Sequence, residues 1–152
     1  MSIQAKFVHT NIVAADWRAL ARFYEQVFGC TRVPPERHLQ GEWIDKATGL
    51  PDVEINGTHV RLPGYGEQGP TLEIFQYNRP REHSAKAISQ PGFAHIAFAV
   101  DDVRAAREAV LAAGGGEVGA LTSVEIAGAG TITFVYLTDP EGNILELQQR
   151  AA

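Results

Sequence analysis

Four residues have the types and spacing to do chemistry: His9, Glu73, His95 and Glu146. The segment Phe7-Val8-His9 returns as Phe93-Ala94-His95, and Leu72-Glu73-Ile74-Phe75-Gln76 returns as Leu145-Glu146-Leu147-Gln148-Gln149. The shift that carries His9 onto His95 also carries Asp16 onto Asp102 and Arg18 onto Arg104. The chain is therefore written twice, and each copy offers a histidine near its start and a glutamate near its end. Two imidazoles and two carboxylates at equivalent places are what a divalent metal site between the copies needs. Repetition of this kind governs the reading of every local segment.

Strand periodicity places these side chains. Successive residues of a strand point to opposite faces, so Phe7, His9 and Asn11 share one face while Val8, Thr10 and Ile12 share the other. In the same way His95 opposes Ile96 and Phe98, Glu73 opposes Leu72 and Ile74, and Glu146 opposes Leu145 and Leu147. All four candidates point away from the aliphatic face that helices should cover, into the concave side of a sheet. A mid-strand glutamate among Leu72 and Ile74 is costly to bury unless its charge is compensated. A bound cation compensates it. Any one of the four alone would read as a solvated strand residue or a hydrogen-bonded core histidine; the duplication is what points to a metal.

The elements that hold these residues follow from pattern. Lys6 to Val13 reads as a strand, rich in β-branched and apolar residues. Asp16 suits a helix N-cap, Leu20, Phe23, Tyr24, Val27 and Phe28 follow at helical spacing, and Gly29 suits the left-handed C-terminal position. The stretch from Cys30 to Gly57 is broken by Pro34-Pro35, Gly41, Gly49 and Pro51, and reads as one short strand plus a long loop. Thr58 to Leu62 and Thr71 to Tyr77 read as strands joined through Pro63-Gly64-Tyr65-Gly66. In the second copy Gly92 to Val100 is a strand and Asp101 or Asp102 a helix cap. Val103, Ala106, Val110 and Leu111 are the buried face of that helix, and Gly114-Gly115-Gly116 closes it. A strand is expected near Glu117 to Leu121. Thr131 to Leu137 and Asn143 to Gln149 make a hairpin through Asp139-Pro140-Glu141-Gly142. The expected fold is α+β, two tandem βαβββ modules forming a curved, mostly antiparallel sheet with helices outside. One domain over 1–152 is expected, with module one at about 6–78, a linker at about 79–91 and module two at about 92–150.

Composition narrows the function classes. A chain of 152 residues can bury a real core without staples. Its formal net charge of −5 and lack of a basic cluster argue against nucleic acid as partner. The single cysteine, Cys30, leaves no intrachain disulfide and no cysteine-rich zinc module. The start of the sequence lacks an apolar run resembling a signal peptide, and no later run is long enough to span a bilayer, so a cytoplasmic location is expected. His59 and Arg61 share a strand face and suit a carboxylate or phosphate, but a solvated edge is the expectation there. His38 and His83 are expected at the surface in polar loops. The triple glycine follows a helix, whereas phosphate cradles precede one. No serine or cysteine sits in a nucleophile motif.

The sequence resembles the vicinal oxygen chelate superfamily, which includes glyoxalase I, methylmalonyl-CoA epimerase, extradiol dioxygenases and bleomycin-resistance proteins. The resemblance rests on Phe7-Val8-His9, Phe23-Tyr24-Glu25-Gln26-Val27-Phe28-Gly29, Thr71-Leu72-Glu73-Ile74-Phe75, the run Gly92 to Asp102, and the run Asp139 to Leu147. It implies His9, Glu73, His95 and Glu146 as ligands of one divalent ion per site (nickel, cobalt, manganese, iron(II) or zinc), the set of bacterial glyoxalase I. The segment after Glu73 lacks the tryptophan-glycine continuation common in glyoxalase I, and the Cys30–Gly57 segment, with Trp43 and Asp45, exceeds a minimal glyoxalase.

On this resemblance the expected activity is that of a metal-dependent lyase, isomerase or epimerase. It would move a proton alpha to a carbonyl through a metal-held enediolate, with Glu146 as base and Glu73 as the second candidate. The substrate would be a small molecule with two neighbouring oxygens, and the assembly a homodimer. The first alternative is an iron(II)-dependent ring-cleaving dioxygenase, and the second a non-catalytic drug-binding resistance protein.

Overall fold

The computed structural model describes residues 1–151, which divide into two compact units, one spanning Met1–Glu82 and the other beginning at His83. Each unit has its own sheet, and the two are built to one plan.

Unit one begins with β1 (His9–Val13), shorter than the expected strand from Lys6. Helix α1 (Trp17–Phe28) follows as its residues predict. The Asp16 carboxylate accepts from the Ala19 amide at 3.0 Å, satisfying an N–H that the first helical turn leaves orphaned. Gly29 ends the helix at φ 68°, a conformation that costs a residue without Cβ little. Trp17, Leu20, Ala21, Phe23 and Tyr24 are buried.

The stretch expected to hold one short strand and a long loop is instead the ten-residue β2 (Thr31–Gln40), helix α2 (Glu42–Thr48) and the first half of β3 (Glu54–Arg61). Strand β2 runs through the cis Pro34–Pro35 bond with a register shift between Val33 and Arg37. It is an outer strand, where missing N–H groups break no interior ladder. Helix α2 is secured by Asp45, whose carboxylate accepts from the Asp52 and Val53 amides at 3.0 and 2.8 Å. Its Ile44 packs with Val53 and Ile55 into a small core that Leu39, Phe75 and Tyr77 extend. With β4 (Thr71–Tyr77) the strand order is β1-β4-β3-β2, and the β1–β4 pair is parallel.

Unit two repeats this with β5 (His95–Ala99), α3 (Val103–Ala112), β6 (Gly116–Glu117), β7 (Thr122–Ile126), β8 (Gly130–Thr138) and β9 (Ile144–Arg150). The order is β5-β9-β8-β6 with β7 also on β8, and β5–β9 is again parallel. The strand expected near Glu117 to Leu121 is replaced by the short β6 and the later β7. Asp102 caps α3 through the Arg104 and Ala105 amides. The β8–β9 turn closes on the buried Asp139, which accepts from the Glu141 and Asn143 amides at 2.9 and 3.0 Å.

Small details repeat as well. The Trp17 amide donates to Gln76 Oε1 at 3.1 Å, and the Val103 amide donates to Gln149 Oε1 at 3.0 Å. Each helix start is thus tied to the last strand of its own unit. In both sheets the aliphatic residues flanking the candidate glutamates, Leu72 and Ile74, Leu145 and Leu147, are fully buried. Burial of each contributes about 1.5–3 kcal/mol, which fixes the register and turns the glutamates to the opposite face.

Candidate functional site

In unit one the parallel β1–β4 register sets Asn11 against Glu73, with His9 two residues earlier on the same face. His9 Nε2 stands 3.5 Å from Glu73 Oε1. In unit two the equivalent register sets Ala97 against Glu146, and His95 Nε2 stands 3.3 Å from Glu146 Oε2. Within each unit the histidine and glutamate singled out from its copy therefore lie side by side. Both carboxylates are mostly withdrawn from solvent, with side chains 16% and 13% exposed.

The environments of the two glutamates differ. Glu73 is tethered: Asn11 Nδ2 donates to Oε1 at 3.0 Å and His59 Nε2 lies 2.8 Å from Oε2. His59 is directly opposite Glu73 in the β3–β4 ladder. Its Nδ1 lies 2.8 Å from the hydroxyl of buried Thr71, and its ring meets His9 edge-on at 5.4 Å. In unit two Tyr136 stands opposite Glu146, with its ring 5.1 Å from His95. Ala97 offers no hydrogen bond where Asn11 does. Among the described ion pairs His95 is the partner found for Glu146.

His59 corrects the expectation of a solvated edge. Strand β3 is interior to its sheet, and the His59 side chain is 14% exposed. Burial holds its imidazole below the ordinary histidine range, aided by the charges of Arg37 and His9 and opposed by Glu73. Its strand neighbour Arg61 donates to the Gly69 carbonyl at 2.6 Å. His38 lies on β2, though its side chain is exposed as expected, and His83 is exposed outside any element. Gly57 lets the sheet close beside His59, since a Cβ there would meet the Ile74 carbonyl oxygen at 2.0 Å.

His9, His59 and Glu73 each present a donor atom, all within 4.8 Å of one another. Two imidazoles and a carboxylate suit a divalent first-row transition ion rather than magnesium or calcium, which prefer all-oxygen shells. The donors present therefore fit a metal of the expected kind. Cys30 is 4% exposed, and burial, with Glu25 nearby, pushes its thiol up to about 11. It is not an activated nucleophile.

The family model for the glyoxalase/bleomycin resistance protein/dioxygenase superfamily matches residues 6–147. The chain belongs to this superfamily. A superfamily protein of known structure, a glyoxalase family protein from Bacillus cereus, shares 16% identity at a TM-score of 0.76, over 100% of this chain and 97% of that one. A glyoxalase I mutant from Zea mays shares 20% identity at a TM-score of 0.61, over 93% of this chain and 45% of that one. These likenesses establish the glyoxalase-type α+β fold. A probable lactoylglutathione lyase from Vibrio parahaemolyticus is 26% identical over 146 residues, 95% of this chain and 90% of that protein. No helix among the described residues is long and apolar enough to cross a membrane.

Proposed function

We propose that this chain is a divalent-metal-dependent enzyme of the glyoxalase I type, a lyase or isomerase that moves a proton next to a carbonyl. In this reading His9, Glu73, His95 and Glu146 ligate one ion of nickel, cobalt, manganese, iron(II) or zinc. The observation that carries it is the repeated pair: a histidine 3.5 and 3.3 Å from a withdrawn glutamate, on the same parallel strand pair in each unit. Neither carboxylate has a lysine or arginine partner among the described ion pairs. A cation is the compensation their burial calls for. The named Vibrio relative supports the choice of α-ketoaldehyde–thiol adducts as the substrate class.

When bound, the ion supplies Lewis acidity toward two neighbouring substrate oxygens and makes the adjacent C–H acidic. The chain's own residues divide the remaining work. Glu146, without a side-chain tether like Asn11 or His59, takes the proton and returns it. Glu73, held by both, stays in place. Return to the neighbouring carbon is isomerisation, and return to the same carbon is epimerisation. Turnover of an α-ketoaldehyde–glutathione adduct that is lost on chelation and restored by a divalent ion tests the reading; turnover indifferent to chelation contradicts it.

One observation favours a second reading. Two histidines and one carboxylate, the composition of His9, His59 and Glu73, also suit ferrous iron in oxygen-using enzymes. An iron(II) ring-cleaving dioxygenase would consume oxygen with its substrate, and proton transfer would not.

A further inference from the structure

We propose that His59 is itself a metal ligand, so that His9, His59 and Glu73 form a three-donor site for a divalent transition ion within unit one alone. This rests on the metal reading above and adds a ligand with no counterpart in unit two.

Spacing is the first support. Two donors about 2.1 Å from a shared ion lie about 3.0 Å apart at right angles and about 3.4 Å apart at tetrahedral angles. His59 Nε2 to Glu73 Oε2 is 2.8 Å and His9 Nε2 to Glu73 Oε1 is 3.5 Å, values on either side of that range. Orientation is the second. A ligating histidine gives its other ring nitrogen to a partner that fixes the ring, and His59 Nδ1 meets the Thr71 hydroxyl at 2.8 Å. Thr71 is 6% exposed, so that partner is itself held in place. Asn11 does the same for Glu73 by donating to Oε1. Rigidity is the third. The three donors sit on β1, β4 and β3, hydrogen-bonded neighbours in that order, and rigid strands hold a constellation more closely than loops.

Unit two cannot match this set. Tyr136 occupies the place of His59, and a phenol offers no imidazole nitrogen to an ion. The three-donor set is thus particular to unit one.

Cobalt(II) titration of the full-length chain, followed by calorimetry and visible absorption, tests this. The wild type, the His95→Ala/Glu146→Ala double variant, and that double variant with His59→Phe or His59→Gln are compared, each checked for folding by circular dichroism. The double variant retains one cobalt(II) per chain, and adding either His59 change weakens binding by more than about 100-fold, beyond the 10–100-fold typical of losing an outer partner. Loss of binding in the folded double variant overturns the three-donor site while leaving the four-ligand reading intact. Undiminished binding after His59 substitution also overturns it. A wild type that binds no cobalt(II) overturns both.

Discussion

His59 faces Glu73 across the β3–β4 ladder with 2.8 Å between Nε2 and Oε2, and the same place opposite Glu146 is held by Tyr136. Two sheets built on one plan therefore hold their glutamates differently. Asn11 against Ala97 adds to the contrast, since only the amide donates.

On the proposed reading, that contrast makes Glu146 the base. Glu146→Gln keeps an oxygen donor but removes the proton acceptor, so turnover should fall by about two to four orders of magnitude with cobalt(II) affinity little changed. Glu73→Gln should chiefly weaken cobalt(II) affinity, because it breaks the arrangement with His59 and Asn11. Steady-state kinetics and metal titration on both variants check this. Near-normal turnover in Glu146→Gln with none in metal-saturated Glu73→Gln would reverse the roles.

The repeated histidine–glutamate pairs were legible in the sequence because duplication exposes the side chains that packing does not require. Helix α1 was legible from Asp16, its apolar spacing and Gly29, all of which act locally. The segment from Cys30 to Gly57 was not. Prolines and glycines mark breaks in an isolated chain, but an outer strand tolerates Pro34-Pro35, and Gly41 and Gly49 bound a short helix whose Ile44 is secured by distant Phe75 and Tyr77. The expectation of a solvated edge for His59 rested on how often arginine, the residue type of its face-mate Arg61, is exposed, which says nothing of where the strand sits. The β3–β4 register, which puts His59 opposite Glu73, is set by tertiary pairing.

Equivalent core positions should respond alike. Leu72→Ala and Leu145→Ala each remove a fully buried side chain behind a candidate glutamate. Each should cost about 2–5 kcal/mol in chemical denaturation. A loss below about 0.5 kcal/mol, the range of surface changes, would show that the burial does not hold the register.

Cys30 should resist alkylation in the native protein. Its thiol is pushed up to about 11 from 9.0 by burial, so little thiolate exists near neutrality. The raised value means the native state holds its proton more tightly than the unfolded chain. The stability it contributes is full below about pH 9 and lost as pH rises toward about 11. Iodoacetamide labelling of the folded protein at pH 7.5 as fast as in denaturant would contradict this.

Strands β1 and β5 are outer strands of their sheets, and Phe7, Val8 and Phe93 beside them are exposed in the single chain. Unpaired edges with apolar neighbours favour pairing with another copy. Light scattering at micromolar concentration should give about twice 16.5 kDa; a mass near 16.5 kDa would contradict a homodimer.

The central claim is proton transfer at a divalent metal, and an oxygen-free assay tests it most directly. Chelated protein is reloaded with nickel, cobalt, manganese, iron(II) or zinc under anaerobic conditions and offered an α-ketoaldehyde–glutathione adduct. The account predicts no turnover without metal and turnover with at least one ion while oxygen is absent. Product formed only when oxygen is admitted, or formed equally by the metal-free protein, would contradict it.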